Sequence, residues 1–515
     1  MTNTFELLVN AARKFDNRIA VKDDSDSFTY SELLKKSLIV GSKIETSLNQ
    51  SRNNLVFIFM SKTAKSLVAI WSVIASGNYY ACIDAKTSSE RVKYLVEKMK
   101  PALIIDVTGT MDLSTYEDSI PKICLDEVLS QCADCSGFNL EEEINKALFS
   151  TVISMDPLYM VFTSGSTGYP KAIIKNHKSI LAFSESFISE FGLSDLEYEV
   201  FGNQASFDYD VSAKDIYISV RLGATLCIIP SKYFLTPAKL AQFMFDNNIT
   251  ILIWAASAIK FMEKFNCFDA CKPISIKHVF FSGEPMPVKC IDYWAQNIPN
   301  AEFFNLYAPS EVTGNCLYYK YEGNENYSHL PLENTFSNSE VLFLTESKEI
   351  AKDGQKGEAY VRGEFLAQGY YMDCEQTQSR FIQNPLHNLF PDIVYKTGDY
   401  FTLSDGKFIF SGRVDNQIKH MGHRIELEEI EAAILRHINN SDFCILYDTD
   451  KENIIMLTQD DKMDFKTLLV ELKAFLPKYM LPYKAFYVRS IPLNDRGKVD
   501  RKQAYNLYKE EIANA

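Results

Sequence analysis

Residues Tyr159 to Lys171 read YMVFTSGSTGYPK, an apolar run that breaks into hydroxyls and glycines and closes on a lysine. A buried strand delivering such a loop to a surface offers flexible amides, hydroxyls and one cation, which is chemistry for a polyanion. Thr163, Ser164, Ser166 and Thr167 supply the hydroxyls, Gly165 and Gly168 the flexible backbone, and Lys171 the charge. The loop is not a Walker motif, because Pro170 rather than glycine precedes Lys171 and Ala172 follows it. Its donors suit a triphosphate; a plain surface turn of this composition is the competing reading.

Such a loop needs a rigid layer beneath it. Leu55 to Met60 (LVFIFM), Tyr159 to Phe162, Ala224 to Ile229, Ile249 to Trp254 and His278 to Phe281 are expected strands with amphipathic helical stretches between them. That alternation is the pattern of α/β layers with mostly parallel strands. From about Gly357 the texture changes, and GEAYVRGEF and GKFIFSGRV alternate with period two, as in an antiparallel or barrel-like sheet. After Gly412, Leu427, Ile430, Ile434 and Ile438 fall on one helical stripe. The expected fold is therefore α/β: a large N-terminal domain of layered α/β subdomains with a β-barrel-like subdomain, then a small C-terminal α+β domain. The boundary is placed between Gly412 and Asn416.

With 515 residues the chain is too long for one core, and 46% hydrophobic residues give ample packing material. A net charge of -14 argues against a general nucleic-acid binder, since neutralising phosphates requires a basic face. MTNTFELLVNAARKF is amphipathic and lacks the cationic start, apolar core and cleavage site of a secretory signal. LVAIWSVIASGNYYACI is interrupted by Ser, Gly and Asn and reads as a core helix running into a strand, not a membrane span. A cytoplasmic protein with no membrane partner is expected. Eleven cysteines, an odd number scattered along the chain, fit a reducing compartment. Cys132 and Cys135 form a lone CxxC, and Cys267 and Cys271 a spacing of four; two thiols do not make a metal site, and none is assigned.

Five further segments follow the loop: SGEPMPVKC, NLYAPSEVT, YKTGDY, GRVDNQIKHMGHRIELEEIE and PLNDRGKVDRK. Together with TSGSTGYPKA they resemble, in order, the motifs of the acyl-adenylate-forming superfamily. That superfamily includes acyl-CoA synthetases, luciferases and the amino-acid adenylating domains of nonribosomal peptide synthesis. The similarity extends from FTYSELL to the final lysine segment, essentially the whole chain. It implies a reaction in which a carboxylate attacks the α-phosphorus of ATP and becomes a mixed anhydride. The nucleophile is already ionised, so catalysis is positioning and charge neutralisation, and cations and oriented amides are needed.

The resemblance assigns residues to this chemistry, with ATP and Mg2+ as cofactors. Thr163 to Gly168 and Lys171 hold the β and γ phosphates, and Gly283, Glu284, Asn305, Leu306, Ala308 and Ser310 surround the nucleotide. Tyr307 stacks on adenine and Glu311 is the magnesium ligand, against the ordinary alternatives of a core aromatic and a first-turn helix carboxylate. Asp399 receives the ribose hydroxyls with Arg413 nearby; the alternative is an Asx-turn aspartate. Lys498 reaches the reacting carboxylate and α-phosphate. Asp415 matches the hinge about which the C-terminal domain, 416–515, rotates between half-reactions, with 413–415 as the hinge and 1–412 as the core. Gly422 and its neighbours face a pantetheine thiol.

Within ASFDYDVSAKDIY, Asp210 matches the aspartate that pairs with the substrate ammonium in amino-acid adenylating enzymes. An N-cap of the following helix is the alternative for Asp210 or Asp208. The motifs place Val211, Lys214, Ser257 and Phe280 around the substrate side chain, and Ser282, Leu306, Gly314 and Asn315 complete this lining. It is more polar than alanine needs, so a polar or acidic amino acid is expected with Lys214 as counter-ion, unless Lys214 points to solvent. Free-standing amino-acid to carrier-protein ligases, D-alanine ligases among them, resemble the chain most, implying a separate phosphopantetheinylated carrier protein as partner. An acyl- or aryl-CoA ligase is the alternative function, and a non-catalytic nucleotide-binding scaffold the other.

Overall fold

The computed structural model describes residues 3–513 apart from 112–119, 132–138, 149–151, 165–169, 196–197, 324–325, 414, 436–442 and 494–498. The expectations placed on Cys132, Cys135, Gly165, Ser166, Thr167, Gly168, Ile438 and Lys498 lie outside the described residues. The chain divides into two compact units. One comprises Met1–Ala85, Met99–Phe162 and Ala172–Val414; the other comprises Lys86–Lys98, Thr163–Lys171 and Asp415–Ala515.

Two largely parallel sheets build the first unit. In one, all six residues of strand Leu55–Met60 are buried, as a parallel strand covered on both faces requires. It lies between Tyr79–Asp84 and Leu103–Asp106, parallel to both. The expected core helix running into a strand is Ala64–Ala75 followed by Tyr79–Asp84. The loop-bearing strand Pro157–Thr163 pairs with Tyr79–Asp84, and Lys171–Asn176 follows it in the sheet.

The other sheet runs Glu302–Tyr307, His278–Ser282, Ile251–Ala255, Val200–Asn203, Thr225–Ile228 and Ile19–Lys22, all parallel. Val21 stands opposite Leu226 although the two are far apart in sequence. The Thr225 hydroxyl donates to the Ile19 carbonyl at 2.6 Å, and Arg18 donates to the Gly223 carbonyl at 2.8 Å. Ser282 and Tyr307 end their strands and so stand at the carboxyl ends of a parallel sheet, the usual place for ligands in such folds.

The period-two segments form an antiparallel sheet of Ser339–Leu344, Lys356–Gly363, Phe381–Gln383, Ile393–Ser404 and Lys407–Arg413. In the second unit a hairpin pairs Gln417–His420 with His423–Glu426. Met421 and Gly422 join them, both with positive φ (52° and 82°), as a two-residue type I′ turn demands. Helix Leu427–Leu435 follows and buries Leu427, Ile430 and Ile434 in one cluster with Met456 and Leu468. Phe443–Asp448, Asn453–Thr458 and Lys484–Tyr487 form this unit's other sheet. Among the described residues no helix is long and apolar enough to cross a membrane.

Candidate active site

Tyr307, Asp399 and Arg413 come together in the first unit. The Tyr307 ring is buried edge-on to Phe401 at 5.2 Å, and its hydroxyl donates to Asp399 Oδ2 at 2.5 Å. The other oxygen of Asp399 accepts from Arg413 Nη1, its partner across the ladder. Asp399 sits inside strand Ile393–Ser404, beside a register shift between Asp399 and Phe401 and after Gly398 at φ 77°. Such a bulge re-aims a side chain, so Asp399 is a strand residue turned inward and not an Asx-turn aspartate.

Glu311 lies in a turn rather than a helix and is 1% exposed; the Tyr370 hydroxyl donates to its Oε1 at 2.6 Å. Among the described residues no group of three or more His, Cys, Asp or Glu could hold a metal. A single buried carboxylate nevertheless fits magnesium, which is commonly held by one or two carboxylates plus substrate phosphates. Asn305 Nδ2 donates to the carbonyls of Leu330 and Pro331 at 3.3 and 2.9 Å and so anchors a neighbouring loop. Glu284 takes the Lys260 ammonium at 2.6 Å. Gly283 has φ 110° with open space where a Cβ would stand, and Ala308 and Ser310 are part-exposed on either side of Pro309.

Described residues of the predicted phosphate loop belong to the second unit. Thr163 ends its strand part-exposed. The Ser164 hydroxyl donates to the Arg424 carbonyl at 2.5 Å and accepts from the Glu426 N–H at 3.1 Å. Lys171 Nζ stands 3.5 Å from Glu426 Oε1, which also accepts from Gln417 Nε2 at 2.7 Å. Asp415 opens the C-terminal stretch of this unit and is part-exposed.

In the substrate set, Asp210 stands just before helix Ser212–Leu222, whose N-cap position is Val211 with no side-chain cap. Neither Asp210 nor Asp208 caps that helix. Asp210 instead accepts from the Tyr159 hydroxyl at 2.9 Å and lies 3.5 Å from the Lys175 ammonium. Lys214 does not reach solvent: it is 3% exposed and donates to Asn315 Oδ1 at 3.0 Å and Ser282 Oγ at 3.4 Å. Burial pushes its pKa down to about 8 and that of the adjacent Asp215, which accepts from Asn203 at 2.8 Å, up to about 7. Leu306 is the register partner of Ser282 and is buried.

Phe280, on the same strand face as Ser282, packs 4.7 Å from both Phe187 and Phe191 and belongs to an aromatic floor. Gly314 has φ 72° and leaves no room for a Cβ, which would fall 2.4 Å from the Phe183 ring. Ser257 sits part-exposed in the first turn of helix Ala256–Lys264. The sequence reading missed Tyr159, Lys175 and Tyr370, the groups that hold Asp210 and Glu311. Tyr159 belongs to an aromatic run and carries no polar signal, whereas Lys175 breaks the apolar strand KAIIKN and was the one visible clue.

The family model described as AMP-binding enzyme matches residues 8–371. A D-alanine–D-alanyl carrier protein ligase of Staphylococcus haemolyticus is 28% identical over 98% of this chain and 99% of its own length. Malpinin synthetase of Mortierella alpina is 27% identical over 99% of this chain, which spans 7% of that much longer protein. Among solved structures, the Vibrio cholerae adenylation domain AlmE in complex with glycyl-adenosine-5'-phosphate superposes with a TM-score of 0.85, covering 98% of each chain at 21% identity. With most of its length matched by the family model, the chain belongs to the AMP-binding enzymes and is an adenylate-forming enzyme.

Proposed function

We propose that this chain activates an amino acid as its aminoacyl-adenylate and passes it to the phosphopantetheine thiol of a separate carrier protein. The observation that carries this reading is Asp210, a largely buried carboxylate that caps no helix and lies in the same interior as the Lys214, Ser282 and Asn315 cluster. Asp210 has Lys175 as an ion-pair partner at 3.5 Å, and a substrate ammonium is a further cation that a carboxylate in this interior can take. The substrate carboxylate attacks the α-phosphorus of ATP, the bond to the β-phosphate oxygen breaks, and pyrophosphate leaves. In the second step the carrier thiolate attacks the acyl carbon, the carbon–oxygen bond to phosphate breaks, and AMP leaves.

Tyr307 offers adenine a flat face, while Asp399, held by Arg413, offers carboxylate oxygens to ribose hydroxyls. Glu311 would hold magnesium, which when bound neutralises phosphate charge. Lys498 is assigned to the charge developing on the α-phosphate, and its replacement by alanine should slow adenylation about 100- to 1000-fold. Asp415 serves as the hinge residue between the two half-reactions.

Amino-acid-dependent exchange of pyrophosphate into ATP on the purified protein tests the reading. A strong signal from an amino acid, lost in Asp210→Asn, is expected. Silence with amino acids beside a signal from a simple acid, with AMP release dependent on coenzyme A, would make the chain an acyl- or aryl-CoA ligase.

A further inference from the structure

We propose that the amino acid activated here carries a second carboxylate, and that Lys175 acts with Lys214 to select it. The inference rests on the reading of Asp210 as the partner of the substrate ammonium. Lys175 lies on strand Lys171–Asn176; its side chain has no solvent exposure, and its Nζ has no hydrogen-bond acceptor. Its charge is answered by Asp210 at 3.5 Å, and Glu311 also acts on it. Lys214 is equally buried, and its hydrogen-bond acceptors are neutral, the Asn315 amide oxygen and the Ser282 hydroxyl. Asp215 and, after it, Asp210 act on Lys214, and Asp215 also acts on the buried Lys62, so three buried ammonium groups, Lys62, Lys175 and Lys214, share two aspartates.

Asp215 serves Lys214 and Lys62 together and also accepts from Asn203, while Lys62 donates to the carbonyls of Asn203 and Gln204. Glu311 is the candidate magnesium ligand and accepts from Tyr370.

A substrate ammonium placed on Asp210 adds a third cation to that carboxylate. A neutral side chain leaves the excess unanswered, and buried charge without a partner is strongly unfavourable. A side-chain carboxylate supplies the missing anion and gives Lys175 the acceptor it lacks. Two lysines that each need an anion make the neutral amide isostere a poor substitute, because its amino group presents donors to donors.

Exchange kinetics decide the matter on the wild-type protein, with both enantiomers of aspartate, glutamate and 2-aminoadipate set against asparagine, glutamine, alanine and leucine. A dicarboxylic amino acid should exceed its amide in kcat/KM by about 100-fold or more. Lys175→Met and the more conservative Lys175→Gln should each cut that ratio at least about tenfold, chiefly through KM for the acid, with KM for ATP unmoved. A neutral amino acid as the best substrate would overturn the inference while leaving amino-acid activation in place. Exchange only with acids lacking an ammonium would instead overturn the reading of Asp210. A folded Lys175 variant with the wild-type ratio removes Lys175 from substrate selection.

Discussion

Gly314 shows how tightly the proposed substrate side of the site is packed. At φ 72°, with the Phe183 ring 2.4 Å from where a Cβ would stand, it admits no side chain without moving an aromatic packed between Phe187, Phe336 and Phe365. Gly314→Ala should therefore lower stability by about 2–4 kcal/mol in a urea melt and raise KM for the amino acid more than KM for ATP. Equal effects on the two constants would mean the strain is not confined to the acid side. At this scale the sequence was legible where a motif brought residues to one place. Tyr307, Asp399 and Arg413 do meet, and Lys214 turns inward to Ser282 and Asn315 as its place among polar residues implied. It was not legible where a residue's usual fate is bland. A lysine near a strand end reads as solvated, and only tertiary packing closes Lys175 off from water.

Helix Phe5–Lys14 is tethered through His177, the first residue of helix His177–Glu190. The Thr4 N–H donates to His177 Nδ1 at 3.1 Å, so that nitrogen must be unprotonated. Burial accordingly pushes the His177 pKa down to about 4. The unfolded chain binds a proton at about pH 6.5 that the folded chain refuses until about 4, so stability is present above that window and lost as pH falls through it. Between pH 7 and 4 the wild type should lose about 1–3 kcal/mol more than His177→Gln, measured by denaturant melts across pH. Parallel loss curves would exclude His177 as the cause.

On the hairpin of the second unit, Glu426 occupies the Lys171 ammonium, and the neighbouring backbone occupies the Ser164 hydroxyl. Both are donors that a triphosphate would need. Glu426→Gln should lower KM for ATP about two- to fivefold by removing a competing carboxylate, whereas an unchanged or raised KM would show that Glu426 supports nucleotide binding. The strands themselves were readable, because fully apolar runs bounded by polar turns have few other uses. Grouping was less so: residues 86–98 and 163–171 cluster with the C-terminal segment through long-range contacts that no change of texture along the chain reports.

Taken whole, the molecule follows the α/β order its alternating pattern implies, yet its largest sheet is assembled far out of sequence. Strand Ile19–Lys22 has its parallel neighbour in Thr225–Ile228, about 200 residues later, and the bonds from Thr225 and Arg18 close that edge. During synthesis at about 5–20 residues per second, the first strand waits roughly 10–40 s for its mate, exposing an unpaired edge meanwhile. Nascent chains released before residue 223 should partition into aggregates or bound chaperones, and those extending past residue 310 should become protease-resistant in the same region. Equal solubility at every length would show that the early strand is protected by other means. The order in which the ribosome delivers residues is thus a constraint on this enzyme as real as its packing, and its yield in a foreign host should depend on elongation rate between codons 20 and 230.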